Sequence, residues 1–236
     1  MSGGILITQQ YPILPMTFSG IVIKRNWKFQ LLWYAALLYF SYLMVLITIQ
    51  YVPVDFDVAF LRIKQDEIKL LHYQIAFFTH VYTSIFVLLL GMFQFSDYVR
   101  RRYSSLHRSA GKLYIALILL LAGPSGLIMG YYANGGIPGR ISFCLLAVLW
   151  MVFTYKAYMY ARKKDWKKHK NYMYRSYALT LSAISLRLFK WLIVSVFALP
   201  PMDTYVIVSW LGWVFNLLIA EYIIYKAATD SQISKS

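Results

Sequence analysis

The chain has 236 residues, 60% of them hydrophobic and 14% charged, with a formal net charge of +15 and a mean hydropathy of +0.54. A soluble domain carries roughly a quarter charged residues, so the composition excludes an ordinary soluble domain and fits a chain whose surface faces lipid. The cations are gathered in short clusters between apolar runs, as on the cytoplasmic side of a membrane protein, which excludes the spread basic surface of a nucleic-acid-binding domain.

Residues 1–28 read as a cytoplasmic or interfacial leading segment, irregular around Pro12 and Pro15. They do not read as a signal peptide, because the basic cluster Lys24, Arg25 and Lys28 comes late and no small-residue cleavage site follows. The first span is Phe29 to Tyr51, long enough as a helix to cross the hydrocarbon core, and Pro53 ends it. Residues 53–70 form the longest polar stretch. Val58, Phe60, Leu61, Ile68 and Leu71 recur at loosely helical spacing, which predicts a short amphipathic helix on the outer surface.

The second span is Leu71 to Phe95, followed by Arg100, Arg101, Arg102, Arg108 and Lys112. The third is Leu113 to Ala133, with Gly123-Pro124-Ser125-Gly126 in its interior. A proline there removes a backbone hydrogen bond and predicts a kink. Asn134 to Gly139 is a turn. The fourth span, Ile141 to Ala161, leads into Arg162, Lys163, Lys164, Lys167, Lys168, Lys170 and Arg175. The fifth is Tyr177 to Leu199, closed by Pro200-Pro201. The sixth is Thr204 to Tyr225, and 227–236 reads as a short cytoplasmic tail.

The fold expected is all-α: a polytopic transmembrane helical bundle of about six spans, forming one domain over 29–226. Six spans place both termini on one side of the membrane. The basic clusters before span one, between two and three, and between four and five fall on that same side, so both termini are predicted to be cytoplasmic. Trp33, Trp166, Trp191 and Trp210, with many of the 21 tyrosines, lie near span ends, as interfacial belts do. The lone Cys144 allows no intramolecular disulfide and reads as a small packing residue. Leu106-His107-Arg108 and Lys168-His169-Lys170 precede spans three and five; a duplicated hairpin and two loops obeying one charge rule both account for the echo.

Arg187 falls near the middle of span five, where a charge costs roughly 3 kcal/mol or more without a partner. Placed by depth at about 1.5 Å per residue, His80, Pro124, Trp213 and Asn216 come to a similar level. This predicts a midplane polar pocket of His80, Arg187, Lys190, Trp213 and Asn216, opened by the Pro124 kink. A network that merely satisfies one costly arginine uses the same residues. Arg187 and Lys190, three apart, share a helix face and suit a small anionic or lipid-like ligand. Glu221, about one turn from the inner end of span six, is expected to pair with Arg175 or Lys156, or to reach the headgroups alone.

Of the four histidines, His72 and His80 lie on one helix about 12 Å apart along its axis and cannot share an iron. His107 and His169 are level, at the two inner helix starts, and are the pair that could hold a b-type haem or a metal ion; an interfacial cap or headgroup contact is the plainer reading. The chain has no glycine-rich phosphate loop, HExxH or GxSxG. The reading therefore leans away from an enzyme, and no cofactor is expected. The first functional reading is a binding protein with the midplane pocket. A haem or metal redox protein and an assembly partner of a membrane complex are the alternatives. The partners expected are the bilayer itself and anionic headgroups at the basic inner loops; no feature specifies a protein partner.

One series of residues runs His80, Gly91-Met92-Phe93-Gln94-Phe95, Leu106-His107-Arg108-Ser109-Ala110-Gly111-Lys112-Leu113-Tyr114. It continues with His169 to Thr180, Arg187, Trp213, Asn216 and Glu221. Together they resemble the bacterial multi-pass membrane proteins of the domain-of-unknown-function family numbered 2306. The resemblance covers Leu71 to Tyr225 and leaves the first span and outer loop outside. It implies a helical bundle in a bacterial cytoplasmic membrane, with no settled activity. It marks His80, Gln94, His107, Arg108, Gly111, His169, Arg175, Arg187, Asn216 and Glu221. His107, Arg108, His169, Arg175 and Glu221 form its cytoplasmic-side polar cluster. Lys170 departs from the pattern, which has arginine there; lysine lacks the bidentate grip of a guanidinium on phosphate.

Overall fold

A computed structural model describes residues 27–233; most of the leading segment assigned to 1–28 lies outside them. The described residues are helical, with no strand among them. The helices are α1 (Trp27–Ile49), α2 (Leu71–Gln94), α3 (Asp97–Arg102), α4 (Ser104–Ala116), α5 (Gly123–Tyr131), α6 (Gly136–Arg162), α7 (Trp166–Thr180), α8 (Ser182–Phe197) and α9 (Pro201–Ile233). Five stretches are single spans by length and hydropathy: Leu31–Ile49, Leu71–Gln94, Ser104–Tyr131, Gly136–Arg162 and Pro201–Asp230. α7 and α8, bent by 42° at their junction, pass the same test only as a pair and bring the number to six when counted as one broken span. Large apolar side chains such as Leu32, Leu71, Leu120 and Leu218 are exposed, the signature of a surface made for hydrocarbon. The chain is a multi-pass membrane protein.

α6 packs between α5 and α7, and α9 lies across α6, α7 and α8. α2 packs on α4 and α5, while α1 stands at the edge against α2 and α8. The central core joins Val87, Met92, Tyr114, Ile118, Trp150, Tyr177 and Trp213 from these spans. The turn between α5 and α6 needs a left-handed residue, and Gly135 supplies it at φ +81°. Both basic loops lie at one end of the bundle, called here the basic end; residues 53–70 cap the other.

Three elements differ from the sequence reading. The 53–70 segment is not an amphipathic surface helix. It forms two short 3₁₀ turns, Ala59–Ile63 and Glu67–Lys69, folded onto the end of α2. Leu61 and Ile68 are buried there with Tyr51, Tyr73 and Phe77. Lys64 is buried too, because its ammonium donates to Glu67 Oε1 at 2.8 Å and to the Tyr132 carbonyl. The tail from 227 is not a separate element: α9 runs on past Tyr225 to Ile233.

The kink expected at Pro124 in span three is present, and the third difference is that span five is broken halfway as well. In the span holding α4 and α5, the helix widens into a π turn over Leu117–Ala122, just before Gly123-Pro124. The proline has no N–H to donate and its ring crowds the carbonyl four residues back, so the chain widens ahead of it. The α7–α8 break at Leu181 has no such cause in its own sequence, since no proline or glycine lies between Trp166 and Phe197. Polar side chains from neighbouring spans hold both breaks.

Candidate functional site

Arg187 and Lys190 lie on an exposed face of α8. The guanidinium donates from Nη1 to the Ala183 carbonyl of its own helix at 2.7 Å. Among the described residues neither cation has an acidic partner in its ion pairs. Together with Trp191, Val194 and Ser195 they line an open groove of about 290 Å³. A charge at this depth is costly when bare, and the bond to Ala183 satisfies only one of five guanidinium donors.

His80 lies within electrostatic range of Arg187. Its Nδ1 donates to the Ala122 carbonyl at 2.8 Å, at the end of the π turn. The Ser125 hydroxyl donates to the Leu121 and Ala122 carbonyls at 2.6 and 3.2 Å. The ring packs on Gly126, where a Cβ would come 2.9 Å from Cε1. The helix break of span three is thus held by α2 through His80.

Asn216 occupies the corresponding place for span five. It is nearly buried, at 9% exposure. Its Nδ2 donates to the Ala178 carbonyl at 3.1 Å, and its Oδ1 accepts from the Ser185 hydroxyl at 2.9 Å. One α9 side chain therefore bridges both sides of the α7–α8 break. Trp213, one turn earlier on α9, points elsewhere: its Nε1 donates to Ser142 at 3.0 Å, and Ser142 donates to the Ser209 carbonyl at 2.7 Å. Of the five residues expected in one pocket, the structure brings together Arg187 and Lys190 on one face with His80 in range. Asn216 and Trp213 serve interfaces of α9.

The sequence reading missed a buried hydroxyl seam. Tyr114 of α4 bonds Ser176 at 2.9 Å and Thr180 at 3.0 Å. Thr154 of α6 bonds Ser176 at 2.7 Å, and the Trp150 indole donates to Thr180 at 3.0 Å. The Ser176–Thr180 spacing, two small residues four apart, is the signal that marks a close helix contact in membranes. Tyr177 beside it lays its ring over Gly91 of α2.

At the basic end, Arg175 of α7 grips Glu221 of α9 with two parallel bonds, Nε to Oε1 and Nη2 to Oε2, the second at 2.7 Å. Arg175 is the partner Glu221 takes; Lys156 instead lies over the Tyr172 ring, 5.5 Å from its centroid. Asp165 caps α7 by accepting from the Lys168 backbone N–H at 3.1 Å. That bond, with the Lys168 ammonium 3.3 Å away, holds its carboxyl below the usual carboxylate range. His169 donates from Nδ1 to the Ala157 carbonyl at 2.9 Å. His107 lies within electrostatic range of His169, Arg100 and Arg108. No group of three or more metal-ligating side chains occurs among the described residues.

A family model described as a predicted membrane protein matches residues 77–224. The match takes in His80, Gln94, His107, His169, Arg187, Asn216 and Glu221 and leaves out α1 and the 53–70 cap. No curated protein and no solved structure matches the chain. With more than half of its residues covered, the chain belongs to the family of predicted membrane proteins designated DUF2306.

Proposed function

We propose that this protein binds an anionic amphiphile in the α8 groove, with the acidic head on Arg187 and Lys190 and the apolar chain along Trp191 and Val194. One observation carries the reading. Two cations share a lipid-facing helix surface at membrane depth with no acidic side chain to neutralise them among the described residues. An anion there removes the cost of a bare charge and takes up guanidinium donors that protein leaves open. The groove opens to the side, so a lipid or fatty-acid-like molecule reaches it from the bilayer. Cations surround the His107–His169 pair, which favours an anion over a dication there, so the haem or metal alternative is not the reading taken.

The same proposal places the protein in a bacterial cytoplasmic membrane with both termini inside. It rests on the positive-inside rule and on the basic loops 100–112 and 162–170 sharing one end of the bundle. The ligand test is a melting curve in non-ionic detergent with added phosphatidylglycerol, oleate or phosphatidylcholine. The expected result is a rise in Tm with the two anionic amphiphiles, smaller or absent with phosphatidylcholine, and lost in Arg187→Leu/Lys190→Leu. Equal Tm values for wild type and the double variant under all three additions overturn the reading. A Soret band in the purified wild type, lost in His169→Ala, would establish the haem alternative.

A further inference from the structure

At the basic end, away from the α8 groove, two buried polar atoms have no partner. Gln94 is the last residue of α2, and its Nε2 is buried without a hydrogen bond. Its Oε1 lies against α4, 3.1 Å from where a Cβ on Gly111 would stand. Any side chain at 111 would displace the amide. His107 lies one turn before Gly111 on the same face of α4, and its Nδ1 is also buried without a partner. Buried polar groups almost always find a partner, so orphans in a native fold call for an explanation. Because His107 and Gly111 are four residues apart on one face of α4, a single group on that face can serve both orphans.

The chemistry of the orphans defines that group. The Gln94 amide nitrogen only donates, and the His107 Nδ1 donates in one of its tautomers. An acceptor oxygen satisfies both. The surrounding charge sets its sign: Arg100, Arg108 and His169 all act on His107. This setting opposes a metal dication and favours an oxyanion, since hydrogen bonds to an ionised acceptor are the stronger ones.

We infer that Gln94 and His107 form a binding site for a phosphate oxygen at the α2–α4 contact, with Arg108 supplying charge. The phosphate belongs either to the headgroup of an anionic phospholipid, which reaches this depth from the leaflet, or to free inorganic phosphate. The site is independent of the α8 groove and stands or falls separately from it.

The test is ¹⁵N NMR of the imidazole nitrogens in histidine-labelled full-length protein. Inorganic phosphate is titrated in non-ionic detergent, and in parallel the protein is placed in nanodiscs of phosphatidylglycerol or of phosphatidylcholine. A His107 Nδ1 shift with inorganic phosphate, absent with chloride, supports the site and identifies free phosphate as its source. A shift confined to phosphatidylglycerol nanodiscs supports the site and identifies a headgroup. Gln94→Glu has the same shape but replaces the donor with a negative charge, and it abolishes either shift. Arg187→Leu leaves the shift unchanged. If neither phosphate source moves His107, or if Zn²⁺ alone moves it, the proposal is overturned. The wild-type titration decides the matter even if Gln94→Glu fails to fold.

Discussion

Gly91→Ala tests the contact among α2, α4 and α7. Gly91 is buried, and the Tyr177 ring lies directly over it. A methyl group there overlaps the Cε2 and Cδ2 atoms of Tyr177 and comes within 3.1 Å of Tyr114 Cε2. Ordinary carbon–carbon contact is roughly 3.5 Å, so the Tyr177 ring must retreat by about 1 Å. It has little room to do so, being held between α2 and the tilted Phe95 ring, whose centroid is 5.2 Å away. Overpacking of this kind costs about 1–3 kcal/mol. If Tyr114 is pushed as well, its bonds to Ser176 and Thr180 lengthen, at about 1 kcal/mol each. The sum is on the order of 3 kcal/mol, or a fall in Tm of on the order of 10 °C for a chain of this size. The assay is thermal unfolding in detergent, followed by cysteine accessibility or aggregation. Gly91→Ala with Tyr177→Leu removes the obstructing ring and should recover part of the loss. A single variant as stable as wild type would show that Tyr177 does not pack on α2 at this position.

Three further outcomes follow from the site geometry. Asn216→Leu keeps the volume but leaves the Ala178 carbonyl and Ser185 hydroxyl without their partner. It should lower stability by about 1–3 kcal/mol, and faster hydrogen exchange confined to residues around 178–185 would trace the loss to the helix break. Arg175→Ala and Glu221→Ala should each destabilise and couple in a double-mutant cycle by about 1 kcal/mol. Arg175→Lys should recover only part, because lysine cannot make the two parallel bonds. The Asp165 cap depends on pH. Its folded carboxyl titrates below the unfolded value of about 3.9, so its contribution is present above that value and is lost as pH falls through the folded pKa. The protection of the Lys168 amide, its exchange rate set against that of an unstructured amide at the same pH, should fall as pH is lowered from 6 through the folded pKa, and Asp165→Asn should flatten that profile.

The spans were legible because hydropathy and charge act locally: every membrane helix must be apolar for about 20 residues, whatever it packs against. The break of span three was legible in Pro124. The break of span five was not, because its cause lies in other spans, with Asn216 on α9 and the Tyr114–Trp150–Thr154 hydroxyl and indole groups supplying alternative hydrogen bonds. Depth counting brought His80, Arg187 and Asn216 to one level, but depth is only one coordinate. Rotation about each helix axis is set by packing, and that rotation turns Asn216 toward α7 and α8 and Trp213 toward α6, while Arg187 faces outward. The hydroxyl seam gave no alarm, since uncharged Ser, Thr and Tyr carry little penalty in an apolar run. Glu221 was easier to place: a carboxylate near a helix end has few cations in reach, and Arg175 was one of two named. The 53–70 cap was misread because its spacing resembles a helix, while Lys64, charged and buried, anchors it to Tyr132 through a contact 68 residues away in sequence.

Native mass spectrometry of the full-length protein, released gently from detergent micelles, tests the α8 reading most directly. Wild type should retain one or more anionic lipid or fatty-acid adducts that survive activation longer than zwitterionic ones. Arg187→Leu/Lys190→Leu, folded and monodisperse, should lose that preference. Identical adduct patterns for the two proteins would contradict the assignment of Arg187 and Lys190 as an anion site.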